Sequence, residues 1–131
     1  MKKTASIFVS VFLISGIFCI QASAQSDVLE GNTSGTIIGT TGEDVIQGSP
    51  GQDNMQGLEG KDIFVIIPGQ GPDNIMDFEP GTDKIKIKGV TFDQLEFSFA
   101  DGKTFVKIAA TGEELATVNG DVREDSHFIT E

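Results

Sequence analysis

A chain of 131 residues has room for one domain, and its 20 acidic against 9 basic side chains give a net charge of −11, which repels nucleic acid and anionic membranes and attracts hard cations. Tryptophan and tyrosine are absent, and the only cysteine is Cys19. An aromatic binding platform, an internal disulfide framework and a thiolate zinc site are therefore excluded.

In chain order, Lys2 and Lys3 precede an apolar run over residues 7–20, followed by Ala22-Ser23-Ala24. That order matches a cleavable secretory leader, with the cut expected after Ala24. Fourteen residues rise only about 21 Å as a helix, short of the roughly 30 Å hydrocarbon core, so no membrane insertion is expected once the leader is removed. Ile17 and Phe18 stand before Cys19 where a lipoprotein leader needs small residues, so lipid anchoring is not expected either. Without Lys2 and Lys3 the remaining chain carries −13. Residues 25–38 form a lead-in, within which Ser34 to Ile38 resembles a worn half-repeat.

Three nonapeptides then stand in direct succession: GTTGEDVIQ from Gly39, GSPGQDNMQ from Gly48 and GLEGKDIFV from Gly57. Each has Gly at the first and fourth places, Asp at the sixth and a large apolar residue at the eighth. After the extra residues Ile66 and Ile67, PGQGPDNIM keeps Gly71, Asp73 and Ile75 in register. After Asp77, FEPGTDKIK keeps Gly81, Asp83 and Ile85. Paired glycines mark turns, and three residues with one apolar side chain make a minimal strand. Ile46, Met55, Phe64, Ile75 and Ile85 should therefore stack as a thin core between two parallel sheets.

With two repeats per coil, Asp44 lies over Asp62 at an interstrand spacing of about 4.8 Å. Carboxylates so placed repel by roughly 1 kcal/mol in water and more in the protein. Between Gly39 and Asp83 nine acidic residues face one base, Lys61. Calcium takes oxygens at about 2.3–2.6 Å, so one ion between two coils matches the strand spacing and converts the repulsion into a link.

These motifs resemble the hemolysin-type calcium-binding repeats, also called repeats-in-toxin, over residues 39–89. The resemblance implies an all-β fold, a parallel β-roll holding Ca2+ between successive turns. It implies carboxylate ligands at Asp44, Asp53, Asp62, Asp73 and Asp83, with carbonyls near Gly39, Gly42, Gly48, Gly51, Gly57, Gly60 and Gly71. The run from Asp77 to Gly89 resembles the segment that closes such rolls. Three features depart from the pattern. Thr40, Ser49 and Leu58 replace the usual second glycine, and the Ile66-Ile67 insertion spaces Asp53 from Asp73 by twenty residues, which lowers the affinity expected there. Family members generally leave the cell through a one-step exporter, whereas this chain carries a cleavable leader, so its destination is extracellular or periplasmic.

From Lys84 the period becomes two. Lys84, Lys86 and Lys88 alternate with Ile85 and Ile87, as in a strand whose lysines guard a sheet edge. Leu95, Phe97 and Phe99 alternate, Asp101-Gly102 supplies a hairpin turn, and strands follow over residues 104–108 and 114–118. Residues 90–131 are expected to form an antiparallel β cap covering the roll's open end.

Catalysis leaves no signature here. His127 is the sole histidine and reads as a surface residue near the terminus, and no serine sits in a Gly-x-Ser-x-Gly frame. The chain reads as a non-enzymatic, secreted calcium-binding protein. One reading is a structural or adhesive module for envelope polysaccharide or a surface protein, with Thr40, Thr41, Asn54 and Asn74 as exposed polar candidates. The other is an accessory or fragment of a secreted enzyme or toxin system with no activity of its own.

Overall fold

The computed structural model describes residues 10–14, 17–21, 27–30 and 35–129, with side chains from Gly35 onward. Lys2, Lys3 and the Ala22-Ser23-Ala24 cleavage pattern lie outside the described residues. Thirteen strands are described: β1 (Ser10–Ile14), β2 (Ile17–Gln21), β3 (Asp27–Glu30), β4 (Thr36–Ile38), β5 (Asp44–Gln47), β6 (Asn54–Gln56), β7 (Ile63–Ile66), β8 (Asp73–Ile75), β9 (Lys84–Ile87), β10 (Leu95–Ala100), β11 (Lys103–Ile108), β12 (Glu114–Asn119) and β13 (Phe128–Ile129). They form two sheets, ordered β1-β2-β4-β6-β8-β12-β11-β10 and β13-β9-β7-β5-β3.

Successive nonapeptides alternate between the sheets, so each strand pairs in parallel with the strand two repeats away. Val45 faces Ile63, Ile63 faces Lys84 and Asn54 faces Asn74. Each short strand turns its eighth-place residue inward. Ile46, Met55 and Phe64 are fully buried, and Ile75 and Ile85 are 1% exposed, so the predicted stack is the core of the roll. Ile37 on β4 extends it upstream. The Ile66-Ile67 insertion leaves pairing intact, because the extra length lengthens β7, with Ile66 buried, and is absorbed by the turn in which the Gln70 N–H donates to the Ile67 carbonyl at 3.3 Å.

Asp27 of β3 stands in register with Asp44, and Leu29 with Ile46. The repeat therefore begins one coil earlier than its glycines advertise. An Asp-x-apolar step at residues 27–29 was the signal available in the sequence.

The expected strands of the C-terminal third appear as β10, β11 and β12. The Asp101-Gly102 turn has φ values of 53° and 75°, the pair of left-handed residues that a two-residue hairpin needs. The meander covers the roll from within the first sheet: β12 pairs in parallel with β8, matching Val118 to Ile75. Val106, Leu115, Ala116, Val118 and Val122 join the core cluster of the roll.

Two expectations are corrected. β9 is not an edge strand, because β13 pairs with it through Phe128 and Ile85. Its lysines anchor neighbours instead: Lys84 Nζ donates to the Ser126 carbonyl, and Lys88 Nζ to Gln47 Oε1 at 2.8 Å. Nor is His127 a surface residue. It is buried, its ring edge-on to Phe78 at 5.7 Å, because the short turn before β13 folds the chain end onto the roll.

Candidate metal centre

Every sixth-place aspartate begins or immediately precedes a strand, and all five are buried: Asp44, Asp53, Asp62, Asp73 and Asp83 are at most 3% exposed. They form two ladders, Asp44–Asp62–Asp83 beside the second sheet and Asp53–Asp73 beside the first. Within a ladder each carboxylate reaches back one coil. Asp62 Oδ1 accepts the Asp44 N–H at 2.9 Å, Asp83 Oδ1 accepts the Asp62 N–H at 3.0 Å, and Asp73 Oδ1 accepts the Asp53 N–H at 3.1 Å. The coil-to-coil stacking inferred from spacing thus holds at both ladders, the twenty-residue step included.

The other carboxylate oxygen is held by its own turn. Asp44 Oδ2 accepts the Thr40 N–H at 2.6 Å and the Thr40 hydroxyl at 2.9 Å; Asp53 Oδ2 accepts the Ser49 N–H at 2.6 Å and the Ser49 hydroxyl at 3.0 Å. Thr40 and Ser49, departures from the repeat pattern in the sequence, are aspartate-holding groups in the fold. Both are buried. Asp83 Oδ2 accepts the Glu79 N–H at 2.9 Å in the same way.

The third turn breaks this rule. Its second residue is Leu58, in the left-handed region at φ 73° and 40% exposed. The Gly57 and Leu58 N–H groups donate to the two oxygens of Asp77, each at 2.9 Å. Asp62 Oδ2 is left buried with no hydrogen-bond partner. Asp77, the single residue inserted between two repeats, is the functional residue that sequence reasoning missed; its off-register position was the only sign.

Leu58 carries a backbone strain of roughly 1–2 kcal/mol that glycine would not, offset in part by the larger unfolded-state freedom of glycine. Leu58→Gly is therefore expected to stabilise the calcium-loaded protein by about 1 kcal/mol, read as a rise in melting temperature of a few degrees. A melting temperature that falls would show that the Leu58 side chain contributes packing that outweighs the strain.

The turns of adjacent coils approach closely. A Cβ on Gly57 would collide with Asp62 Oδ2, and one on Gly60, at φ 126°, with the Gly42 carbonyl. A Cβ on Gly39 would lie 2.7 Å from the Gly57 carbonyl, one on Gly71 2.8 Å from the Gly51 carbonyl, and one on Gly48 2.8 Å from Asp73 Oδ2. The predicted glycine set thus lines the two seams where carboxylates and turn carbonyls meet. Among the described residues no three acidic or imidazole side chains converge, so a cation here must be held by carboxylates in pairs together with carbonyls. An all-oxygen donor set with one unsatisfied buried carboxylate oxygen fits a hard cation such as calcium.

Electrostatics point the same way. Burial pushes the Asp62 carboxyl up to about 7, opposed by the Asp44 N–H and reinforced by the charges of Asp83, Asp44 and Asp77. Burial likewise raises Asp73 to about 7, against the Asp53 N–H and with the Asp53 charge. Asp83 is raised from its ordinary value by the same desolvation. A metal-free stack therefore holds its carboxylates at a cost at neutral pH.

The model of the family described as peptidase M10 serralysin C terminal matches residues 10–120. Among solved structures, the R3 subunit of the Azotobacter vinelandii mannuronan C5-epimerase AlgE6 is similar at 23% identity and a TM-score of 0.48, with 82% of this chain and 79% of that one covered. The extracellular lipase LipA of Serratia marcescens is similar at 15% identity and a TM-score of 0.48, with 94% of this chain and 24% of the lipase covered. A search of curated proteins returns no significant match.

Proposed function

The chain belongs to the peptidase M10 serralysin C-terminal family, whose repeats are of the calcium-binding repeats-in-toxin type, and from that membership we propose a secreted module that binds Ca2+ between its stacked turns and folds on doing so. The observation that carries the reading is Asp62 Oδ2: buried, without a partner, and facing a glycine that leaves no room for a Cβ. Asp44, Asp62 and Asp83 hold ions along one seam and Asp53 and Asp73 along the other. Carbonyls near Gly39, Gly42, Gly48, Gly51, Gly57, Gly60 and Gly71 complete the shells.

Calcium supplies positive charge between coils. The chain's own residues orient the oxygens, Thr40 and Ser49 by fixing Asp44 and Asp53, Asp77 by taking the Gly57 and Leu58 N–H groups and so leaving Asp62 Oδ2 free for the ion. The module is non-catalytic, and its role is structural or adhesive at the cell surface. Residues 1–24 are a leader, residues 25–38 a lead-in that supplies the first coil, residues 39–89 the glycine-marked repeats of the roll and residues 90–131 its cap. Removal of the leader takes β1 and β2 away and leaves β4 as the edge of the first sheet. No helix among the described residues is long and apolar enough to cross a membrane.

Calorimetric titration of the exported chain tests the reading. Calcium should bind with dissociation constants reaching about 10⁻⁴–10⁻³ M, as in extracellular modules, and magnesium should give little heat because it keeps its waters and demands a smaller octahedral shell. Equal heats from both ions would sink the assignment.

A further inference from the structure

The outer face of the first sheet carries a row of side chains that neither the core nor the metal seams use. Thr36, Asn54, Asn74, Thr117, Phe105 and Ser98 occupy one register position on six successive strands, from β4 through β6, β8, β12 and β11 to β10. Their inward neighbours Ile37, Met55, Ile75, Val118 and Val106 are buried, so the row points to solvent. Its members are neutral, and five of the six carry a hydroxyl or an amide. The Asn74 amide donates to Asn54 Oδ1 at 2.8 Å, which fixes both groups.

A groove of about 240 Å³ runs along the middle of this row, lined by Asn54, Asn74, Thr117, Met76, Asn119 and Lys103. No carboxylate lines it, although the chain has 20. Met76 is 43% exposed and supplies an apolar patch, and Asn119 is held by its bond to the Met76 carbonyl at 2.7 Å. The groove is smaller than the roughly 300–1,000 Å³ of pockets that engulf a drug-sized ligand. It is suited to one segment of a ligand that continues along the row.

We propose that this face binds an extended, neutral polysaccharide, an inference that rests on the adhesive role proposed above. Hydroxyl-rich chains need partners that both donate and accept, which amides and hydroxyls do and carboxylates or ammonium groups do not. Strand-to-strand steps of about 4.8 Å are comparable to the length of one sugar residue along an extended polysaccharide. Phe105 and Met76 offer apolar surface to sugar C–H groups. The field of an exported chain at −13 disfavours an acidic polymer, and Lys103 is the sole cation lining the groove.

The test is electrophoresis of the exported chain, in calcium, through native gels containing hydroxyethylcellulose, dextran or polygalacturonate, with circular dichroism in the same buffer. Retardation by a neutral glucan is expected. Asn74→Val combined with Thr117→Val keeps strand-forming residues and should weaken the interaction about tenfold, the loss expected for two neutral hydrogen bonds, whereas Gln52→Ala, an exposed turn residue outside the row, should not. If the double substitution lowers the β signal, Met76→Ala, an uncharged change at the exposed apolar patch of the groove, serves as the second variant and should also reduce retardation. A β-rich protein that runs unretarded, or one retarded by polygalacturonate and indifferent to these substitutions, overturns the inference and leaves the calcium reading standing. Retardation that persists in chelator with the β signal unchanged supports the polysaccharide face and counts against calcium-coupled folding.

Discussion

In chelator at neutral pH the repeat segment is expected to be largely disordered, and at millimolar calcium the same protein should show a β-rich circular dichroism spectrum and a cooperative melt. The reason lies in a core one side chain wide, strands of three or four residues and nine acids against one base between Gly39 and Asp83. Ordering about fifty residues costs on the order of 1–2 kcal/mol of backbone entropy per residue, which such limited burial does not offset alone. Each calcium that binds only the folded stack adds about 0.4–1.4 kcal/mol when free calcium is one- to tenfold above the dissociation constant. Several ions together decide the fold.

Acid should partly replace calcium. The Asp62 and Asp73 carboxyls are raised to about 7 from 3.8 in the metal-free stack, so between those values the folded state binds protons that the unfolded chain does not. Stability of the metal-free fold is then greatest below 3.8 and is lost as pH rises through about 7. In chelator, the β signal should accordingly grow as pH falls from 8 to 5. An identical spectrum and melting temperature in chelator and in calcium, at every pH, would remove the coupling.

Asp44→Ala and Asp62→Ala are each expected to weaken calcium binding by at least tenfold, and the double substitution by little more than either alone. The two carboxylates face one seam and share ions, so removing one leaves the other without its shared partner, and coupling energies for such pairs run to about 0.5–3 kcal/mol. Asp125→Ala is the control, since that residue is exposed and outside the repeats; Glu113 is unsuitable because its carboxylate accepts the Gly69 N–H at 2.6 Å. Asp62→Asn separates the metal from the fold. It keeps an acceptor for the Asp44 N–H but removes a buried charge, so calcium affinity should fall while the residual structure in chelator rises. Equal, additive losses at Asp44, Asp62 and Asp125 would indicate diffuse attraction to a charged surface.

The nonapeptide period was legible in the sequence because each of its places has one physical job. Glycine at the fourth place leaves room for a neighbouring carbonyl, as Gly60 does against Gly42. The eighth place faces the core and the sixth faces the seam, so the stack of Ile46, Phe64 and Ile85 and the pairing of Asp44 with Asp62 follow from spacing alone. The hairpin at Asp101-Gly102 was equally local, a matter of two residues able to adopt positive φ. What lay beyond the sequence depended on contacts between residues far apart in the chain. That β13 covers β9, that Asp77 takes the amides of a turn nineteen and twenty residues earlier, and that Thr40 and Ser49 serve the aspartates they precede are consequences of coil-to-coil placement, which a period describes without saying which hydrogen-bond donors remain to be satisfied. The sequence by itself determined the roll, its core and its acidic seams, because short-range spacing sets strand register when one face must be buried. Only the tertiary structure decided which carboxylate oxygen is left without a partner, because that is settled by competition for backbone N–H groups between neighbouring coils.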